Sequence, residues 1–470
     1  MSAHHTLRPY QLKAIEEIRK HFSNGVKKVL LQLSTGGGKT TIFSDILKKL
    51  SEKGNKGAIV VRGRKLVDQA HKRLMREDVV HGVRMNSHWC VNTKAPIQVC
   101  SIDTMLSRGL TPEGSLLVID EAHLFLSKAC VEFCDDFLQK NPGAFILAVT
   151  ATPYSKKSMR HFADVVVKPV AITELIDDGY LVPPVYYAPT NPDLTGVRIS
   201  NTTEDYVTAD LEKILNGNDI VGNLVQNWVN FAENRSTICF CVSIVHSKHV
   251  AEMYNAAGIP ARHCDADSTD EEREQAVKDL EEGRLKVITN VGIFCTGVDI
   301  PILGCVQLAR PTESYNLYIQ MAGRGTRPFK GKDNFILLDN GGNVLRHGFI
   351  TEEPECNLDG APPKKGSSIL IKTCKKCFAV FNQFSSHCPQ CGTTSKDPDS
   401  ERMVSELDGT LVKIDTMPIE AIAYRRHREL KKIRKEKGYK RGWIYHAMVK
   451  EFGEEIAVKY CPKREKPKWL

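Results

Sequence analysis

The stretch Ser34-Thr35-Gly36-Gly37-Gly38-Lys39-Thr40-Thr41 follows directly on the apolar run Val29-Leu30-Leu31-Gln32-Leu33. Three successive glycines let the backbone turn so tightly that consecutive N–H groups converge on one anion, and a helix opening just after them adds its positive end. Lys39 can then reach the β- and γ-phosphates of a nucleotide, and the Thr40 hydroxyl can ligate Mg²⁺. Thr35, Gly36, Gly37, Gly38, Lys39, Thr40 and Thr41 together form the expected phosphate cradle. Further along, a second apolar run, Leu116-Leu117-Val118-Ile119, ends in Asp120-Glu121-Ala122-His123. There Asp120 can hold the metal through water while Glu121 polarises an attacking water. Either motif alone is common; both together, each at the C-terminal lip of an apolar strand, point to a nucleotide-hydrolysing P-loop protein.

Outward from that pair the chain alternates short apolar runs with amphipathic stretches, the pattern of βα units around a parallel sheet. Strands are expected at 28–33, 57–61, 97–101, 115–119 and 144–150, with helices at 42–50 and 65–75. Prolines 169, 183, 184, 189 and 192 then mark a hinge. A second set follows: strands near 236–242, 285–290, 304–308 and 334–339, helices near 222–232, 247–257, 270–282 and 313–322. The simplest account is two α/β domains, 1–168 and 169–352, each with about five strands. Residues 353–368 read as a linker, 368–396 as a compact Cys-rich unit and 397–470 as a basic tail.

A chain of 470 residues is too long for one core, and no apolar stretch approaches a membrane span. The start, Met-Ser-Ala-His-His-Thr-Leu-Arg, lacks the apolar segment of a signal peptide, so a cytoplasmic protein is expected. The formal charge of +9 is concentrated: Tyr424 to Leu470 holds 16 Lys and Arg against 6 Glu, leaving the rest near neutral. Such a tail suits a polyanion, although a charge run is also compatible with plain solvation. Cys100, Cys239, Cys241 and Cys305 sit singly in apolar runs and read as small buried residues of a reduced protein. Cys374-x-x-Cys377 and Cys388-x-x-Cys391 differ. Two such knuckles present four thiolates to one ion, which favours a closed, structural Zn²⁺ site.

The motif series extends well beyond the P-loop. Leu7-Arg8-Pro9-Tyr10-Gln11 precedes it, and Thr150-Ala151-Thr152-Pro153 ends the next strand after the acidic motif. The second half carries Thr289-Asn290-Val291-Gly292, Thr296-Gly297-Val298-Asp299-Ile300-Pro301 and Gln320-Met321-Ala322-Gly323-Arg324-Gly325-Thr326-Arg327. In this order over about residues 5–345 the chain resembles the superfamily 2 helicases, whose two tandem RecA-like domains clamp ATP between them. Arg310-Pro311-Thr312-Glu313-Ser314 and Gly179-Tyr180-Leu181-Val182-Pro183-Pro184 are similar to the bacterial RadD (YejH) helicases and to the group of type III restriction motor subunits and phage helicases.

The resemblance implies that Gln11, with Arg8 nearby, reads the adenine edge. It also implies that Gly297 and Asp299 approach the nucleotide from the second domain, and that Arg327 is the arginine finger beside Arg324. Placed three apart on an expected helix, the two arginines would face one direction. His123 and the Thr150-Ala151-Thr152 turn would couple nucleotide to strand. A nucleic-acid track is expected from loop residues Arg62, Arg64, Thr104, Ser243, His246, Thr289 and Asn290, whose hydroxyls, amides and charges grip phosphates without reading sequence. Ser and Thr after strands equally cap helices. The tail's aromatics, Trp443, Tyr445, Met448 and Phe452 among them, fit either a DNA-binding appendage or packing onto the motor.

The expectation is therefore an ATP-dependent DNA helicase or translocase using ATP, Mg²⁺ and Zn²⁺, acting in repair, recombination or replication on single-stranded, forked or branched DNA. Single-strand-binding protein or a recombinase are expected partners. A restriction or defence motor subunit, or an accessory ATPase that remodels a recombinase complex, are the alternatives.

Overall fold

In the computed structural model the described residues are 6–155, 157–188, 194–200, 203–216, 218–295, 300–360, 371–373, 380–382, 412–414, 427, 430, 443–452 and 457. Two seven-stranded sheets organise them. The first comprises β1 (Lys28–Gln32), β2 (Gly57–Val61), β3 (His81–Arg84), β4 (Ile97–Ser101), β5 (Leu116–Asp120), β6 (Phe145–Thr150) and β7 (Val165–Val167). Its order is β3-β4-β2-β5-β6-β1-β7, with every pair parallel. Val29, Leu31, Ile59 and Val61 join one core, while Leu30, Ala58 and Val60 join the other. A parallel sheet covered on both faces requires such unbroken apolar strands.

The second sheet comprises β8 (Pro184–Ala188), β9 (Thr237–Phe240), β10 (Ala261–Cys264), β11 (Val287–Asn290), β12 (Cys305–Leu308) and β13 (Phe335–Asp339). Beyond the short antiparallel pair β14 (Ile371–Thr373) and β15 (Val380–Asn382), β16 (Val412–Ile414) returns to pair antiparallel with β8. The order is β10-β11-β9-β12-β13-β8-β16. Cys239, Cys241 and Cys305 lie buried on one face and Cys100 is buried in the first sheet. Burial pushes the Cys100 and Cys305 thiols up to about 12, as inert core residues require.

Seven strands per sheet exceed the expected five. The additional strands of the described residues are short or polar, such as His81–Arg84 and Ala261–Cys264 at sheet edges. The expected hinge contains a helix, Ile172–Asp177, and β8, which Pro184 opens. Proline is tolerated at the first residue of a strand, which is why the proline cluster hid it.

Residues 353–360, read from sequence as linker, are docked: Leu358 is buried in the first domain's core and its carbonyl accepts from Met159 N at 2.8 Å. The expected zinc ligands Cys374, Cys377, Cys388 and Cys391 lie outside the described residues, as does most of the basic tail. The helix Trp443–Phe452 is described: Ile444, Met448 and Phe452 bury one face against Leu430 and Ala457, a small core of their own. No helix among the described residues is long and apolar enough to cross a membrane.

Candidate nucleotide site at the seam of two domains

Strand order brings the first-domain motifs together. β5, β6 and β1 are neighbours, and their C-terminal ends align with Asp120 opposite Val149 and Gln32 opposite Thr150. The glycine loop, the acidic motif and the Thr150-Ala151-Thr152 turn therefore share one lip of the sheet, where open α/β sheets bind ligands. Gly36 and Gly38 have φ of +83° and +86°, which L side chains rarely adopt. A Cβ on Gly36 would sit 2.9 Å from Leu181 Cδ2, one on Gly37 2.8 Å from Leu33 Cγ, and one on Gly38 2.3 Å from Gln11 Nε2. Only glycine fits this loop, and its helix, Lys39–Glu52, starts directly at its end. The cradle thus fits a phosphate chain.

The residues ahead of the loop brace it. Tyr10 Oη donates to Gly37 O at 2.8 Å, Gln11 Nε2 to the same carbonyl at 3.4 Å, and Arg8 N donates to Gln11 Oε1 at 2.9 Å. The Arg8 guanidinium lies over the Tyr180 ring at 4.5 Å, and Tyr180 meets Tyr10 edge-on. Thr41 Oγ1 accepts from Arg73 at 3.0 Å, while Thr35 in the loop and Thr40 in the helix's first turn stay partly exposed.

Lys39 Nζ donates to Leu33 O at 3.2 Å. Desolvation holds its ammonium below the usual lysine range against the pull of Glu121 and Asp120, with Arg324 and Arg327 pushing further down. Asp120 is raised, first by burial and then by Glu121, with Lys39 opposing. Two carboxylates side by side beside one ammonium are a donor set short of positive charge, and a divalent cation supplies it. Glu121 has φ +51° and ψ +53°, an uncommon conformation for a non-glycine residue. Its buried Oε2 accepts no hydrogen bond among the described residues and lies 3.5 Å from His123 Nδ1. An acceptor held that way is suited to a water.

The second domain completes the site. Next to Gly36 stand Arg327 Cγ and Thr326 Oγ1, each 3.7 Å from where a Cβ would lie, and a Cβ on Gly323 would lie 3.1 Å from Thr35 Cβ. Val182 N donates to Thr326 O at 2.7 Å, which ties the segment ahead of β8 to the arginine turn. The arginine pair is not helical as expected, because its helix, Tyr315–Ala322, ends at Gly323. The arginines follow in a turn, where Gly325 packs against Phe335 too closely for any Cβ. Arg324, buried, donates to Cys295 O. Lys332 Nζ donates to Arg327 O at 2.8 Å and holds that turn. Gly297 and Asp299 lie outside the described residues.

His123 bridges the two domains. Its Nδ1 meets Thr150 Oγ1 at 2.8 Å and its Nε2 meets Gln320 Nε2 at 3.0 Å. Burial keeps the imidazole below its usual range and hence neutral. A Gln amide nitrogen can only donate, so Nε2 is the acceptor and Nδ1 carries the proton toward Thr150 and Glu121. Sequence reasoning gave Gln320, Tyr10, Tyr180 and Lys332 no role; all but Lys332 were signalled by their places within quoted motifs. Gln320→Ala is expected to leave basal ATP turnover within about threefold while cutting its stimulation by DNA at least about fivefold, the size of one lost buried hydrogen bond. Steady-state ATPase assays over a DNA titration check this.

The expected strand-contacting residues are scattered. Arg62 is half-buried, donating to Cys130 Sγ and lying over Phe125, and Arg64 is exposed at its helix start. Thr104 is buried within its helix, and Ser243 Oγ accepts from His246 N as a helix cap. His246, Thr289 and Asn290 are buried within the second domain: Thr289 Oγ1 donates to Ser247 O and Asn290 Nδ2 to Cys239 O. In this arrangement the side chains of these three serve their own domain rather than an open surface.

Residues 4–155 match the family described as type III restriction enzyme, res subunit, and residues 218–328 match the helicase conserved C-terminal domain. Together the two cover more than half of the chain. It belongs to the superfamily 2 helicases of the restriction-motor group. Within curated proteins it is 29% identical over 354 residues to the IRC3 helicase of Saccharomyces cerevisiae, 71% of this chain and 51% of that one. It is 27% identical over 389 residues to a 51.5 kDa protein of a Lactococcus phage, 81% of each chain. The chain thus spans about half the length of its yeast relative. Its fold is that of the ATP-dependent type ISP restriction-modification enzyme LlaBIII bound to DNA, at TM-score 0.53 and 18% identity over 71% of this chain and 27% of the other. Both matched regions of this family member contribute to the seam just described.

Proposed function

We propose that the chain is a DNA-dependent ATP hydrolase, a helicase or translocase working in repair, recombination or replication. The observation that carries this is the closed seam: Arg327 and Thr326 of the second domain stand against Gly36 of the glycine loop, and Gln320 meets His123 of the acidic motif at 3.0 Å. In this reading Lys39 and the glycine loop hold the phosphates, Thr40 and Asp120 hold Mg²⁺, and Glu121 orients the attacking water. Mg²⁺ when bound supplies charge neutralisation on the phosphate oxygens. Arg327 meets charge that develops on the transferred group, and it can do so only with the domains together. Hydrolysis thereby becomes linked to domain opening, which is what stepping along a strand requires.

The strand would cross both domains past Arg62, Arg64 and the cleft of about 620 Å³ between helices Arg64–Arg76 and Asp270–Glu281. Lys65, Lys72, Arg273 and Lys278 line that cleft beside acidic neighbours. Single-stranded, duplex and forked DNA should each be assayed for stimulation of ATP turnover. At least one is expected to raise it about tenfold or more; equal turnover with and without every DNA and RNA form would refute the reading.

The four cysteines 374, 377, 388 and 391 support a structural zinc ribbon beyond the motor. Full-length protein is expected to release one zinc per chain on thiol modification, with ATP turnover of the motor retained. Metal analysis and a chromogenic chelator measure it.

A restriction-motor role is the second reading, favoured by the family matched over residues 4–155. Co-purification with a nuclease or methyltransferase subunit would select it, whereas binding of a single-strand-binding protein or recombinase without strand displacement would select an accessory role.

A further inference from the structure

After the second domain, the chain crosses back to the first. Residues 352–354 thread between three of the motifs above. Tyr315 Oη donates to Glu352 O at 3.1 Å, and Tyr154 Oη donates to Pro354 O at 2.9 Å. Tyr154 follows the Thr150-Ala151-Thr152-Pro153 turn, while Tyr315 opens the helix that leads to Arg324. The two rings meet edge-on at 5.0 Å, and Asn316 Nδ2 donates to Tyr154 O at 2.7 Å. Between those anchors the Glu353 side chain, 15% exposed, turns into the first domain. Its Oε1 accepts from Ser34 Oγ at 2.7 Å, and its Oε2 accepts from Ile172 N at 3.3 Å and pairs with Lys168 Nζ at 2.9 Å.

Ser34 is where the glycine loop leaves β1, and its own carbonyl accepts from Gly37 N at 3.0 Å, closing the loop's first turn. We propose that Glu353 is a positioning residue for the nucleotide: it holds Ser34, and with it the loop's entry, in the conformation that receives phosphates. Residue 352 is held by Tyr315 of the second domain and residue 354 by Tyr154 of the first, so Glu353 sits where the two domains meet. Glu353 is thus an element of the phosphate site supplied from beyond the second domain, outside both matched regions. A buried carboxylate accepting from a hydroxyl, a backbone N–H and an ammonium has few alternative positions, so it fixes Ser34 rather than following it. The inference rests on the seam being the ATP site.

The test measures Mg·ATP affinity with a fluorescent nucleotide, alongside steady-state kcat and KM and the melting temperature, on the full chain. Ser34→Ala and Glu353→Ala are each expected to weaken nucleotide binding and raise KM about tenfold with kcat changed less than about threefold. The pair together should be no worse than either alone, because one interaction is removed twice. Glu353→Gln has a single acceptor oxygen: turned to Ile172 N it leaves the amide NH₂ to donate to Ser34 Oγ, so the Ser34 contact survives and nucleotide affinity should lie between those of the wild type and Glu353→Ala. Additive effects, unchanged affinity in Ser34→Ala, or a fall in melting temperature without any change in affinity would overturn the proposal. Lys39→Ala runs in parallel: if it leaves nucleotide binding and turnover intact, the failure lies with the ATP-site reading and not with Glu353.

Discussion

Lys39→Ala is expected to reduce ATP turnover at least about a thousandfold, since catalysis of phosphoryl transfer is positioning plus charge stabilisation and in the proposed reading this residue supplies both. The same substitution should leave the fold intact. In the free protein desolvation already disfavours the Lys39 ammonium, and its hydrogen bond to Leu33 O returns to the residue just after β1. Removing a charge that its surroundings oppose costs the folded state little. Melting temperature in the absence of nucleotide is therefore expected to stay level or rise. What should vanish is the increase in melting temperature that Mg·ATP gives the wild type, because a ligand stabilises only in proportion to its binding. Retained turnover, or loss of the fold without nucleotide, would each contradict this account of Lys39.

The second large effect separates binding from chemistry. Arg327→Ala is expected to lower kcat about a thousandfold or more, the scale of a lost arginine finger, while nucleotide affinity falls less than about tenfold. The reason is geometric: the glycine cradle and its braces, Tyr10, Gln11 and Arg8, belong wholly to the first domain. They can hold a nucleotide without the far side, whereas charge developing during transfer calls on the far side. Arg324→Ala should lose kcat too, but with a fall in stability, because that side chain is buried and ties the turn to Cys295. Pre-steady-state turnover and nucleotide titration of both variants distinguish the two arginines.

How much of this was legible in the sequence depends on where the physics is local. The glycine loop and the acidic motif could be read because both follow unbroken apolar strands, and a parallel sheet buried on two faces demands such strands. The edge strands His81–Arg84 and Ala261–Cys264 could not, since an edge needs no apolar run and these carry His and Arg. The arginine pair was placed on a helix because its spacing allowed one. Only packing shows that the helix stops at Gly323, as the chain must then turn beneath Phe335. The docked residues 353–360 were hidden for a related reason. Pro354 and the acidic residues there look like linker, yet Glu353 bonds Ser34, which lies 319 positions away in the chain. Bonds over such separations leave no periodic trace in sequence. Tyr10 and Tyr180 are similar: each is an ordinary aromatic until folding sets them edge-on beside Arg8.

In the proposed reading one nucleotide is served by side chains from both domains at once. The most direct measurement is a crystal structure of the full chain with Mg²⁺, ADP and aluminium fluoride, a mimic of the transferring phosphoryl group. The account predicts the fluoride held by Lys39 from one side and by Arg327 from the other, within hydrogen-bond distance of each. A fluoride contacted only by the first domain, with Arg324 and Arg327 both turned away from it, would contradict it.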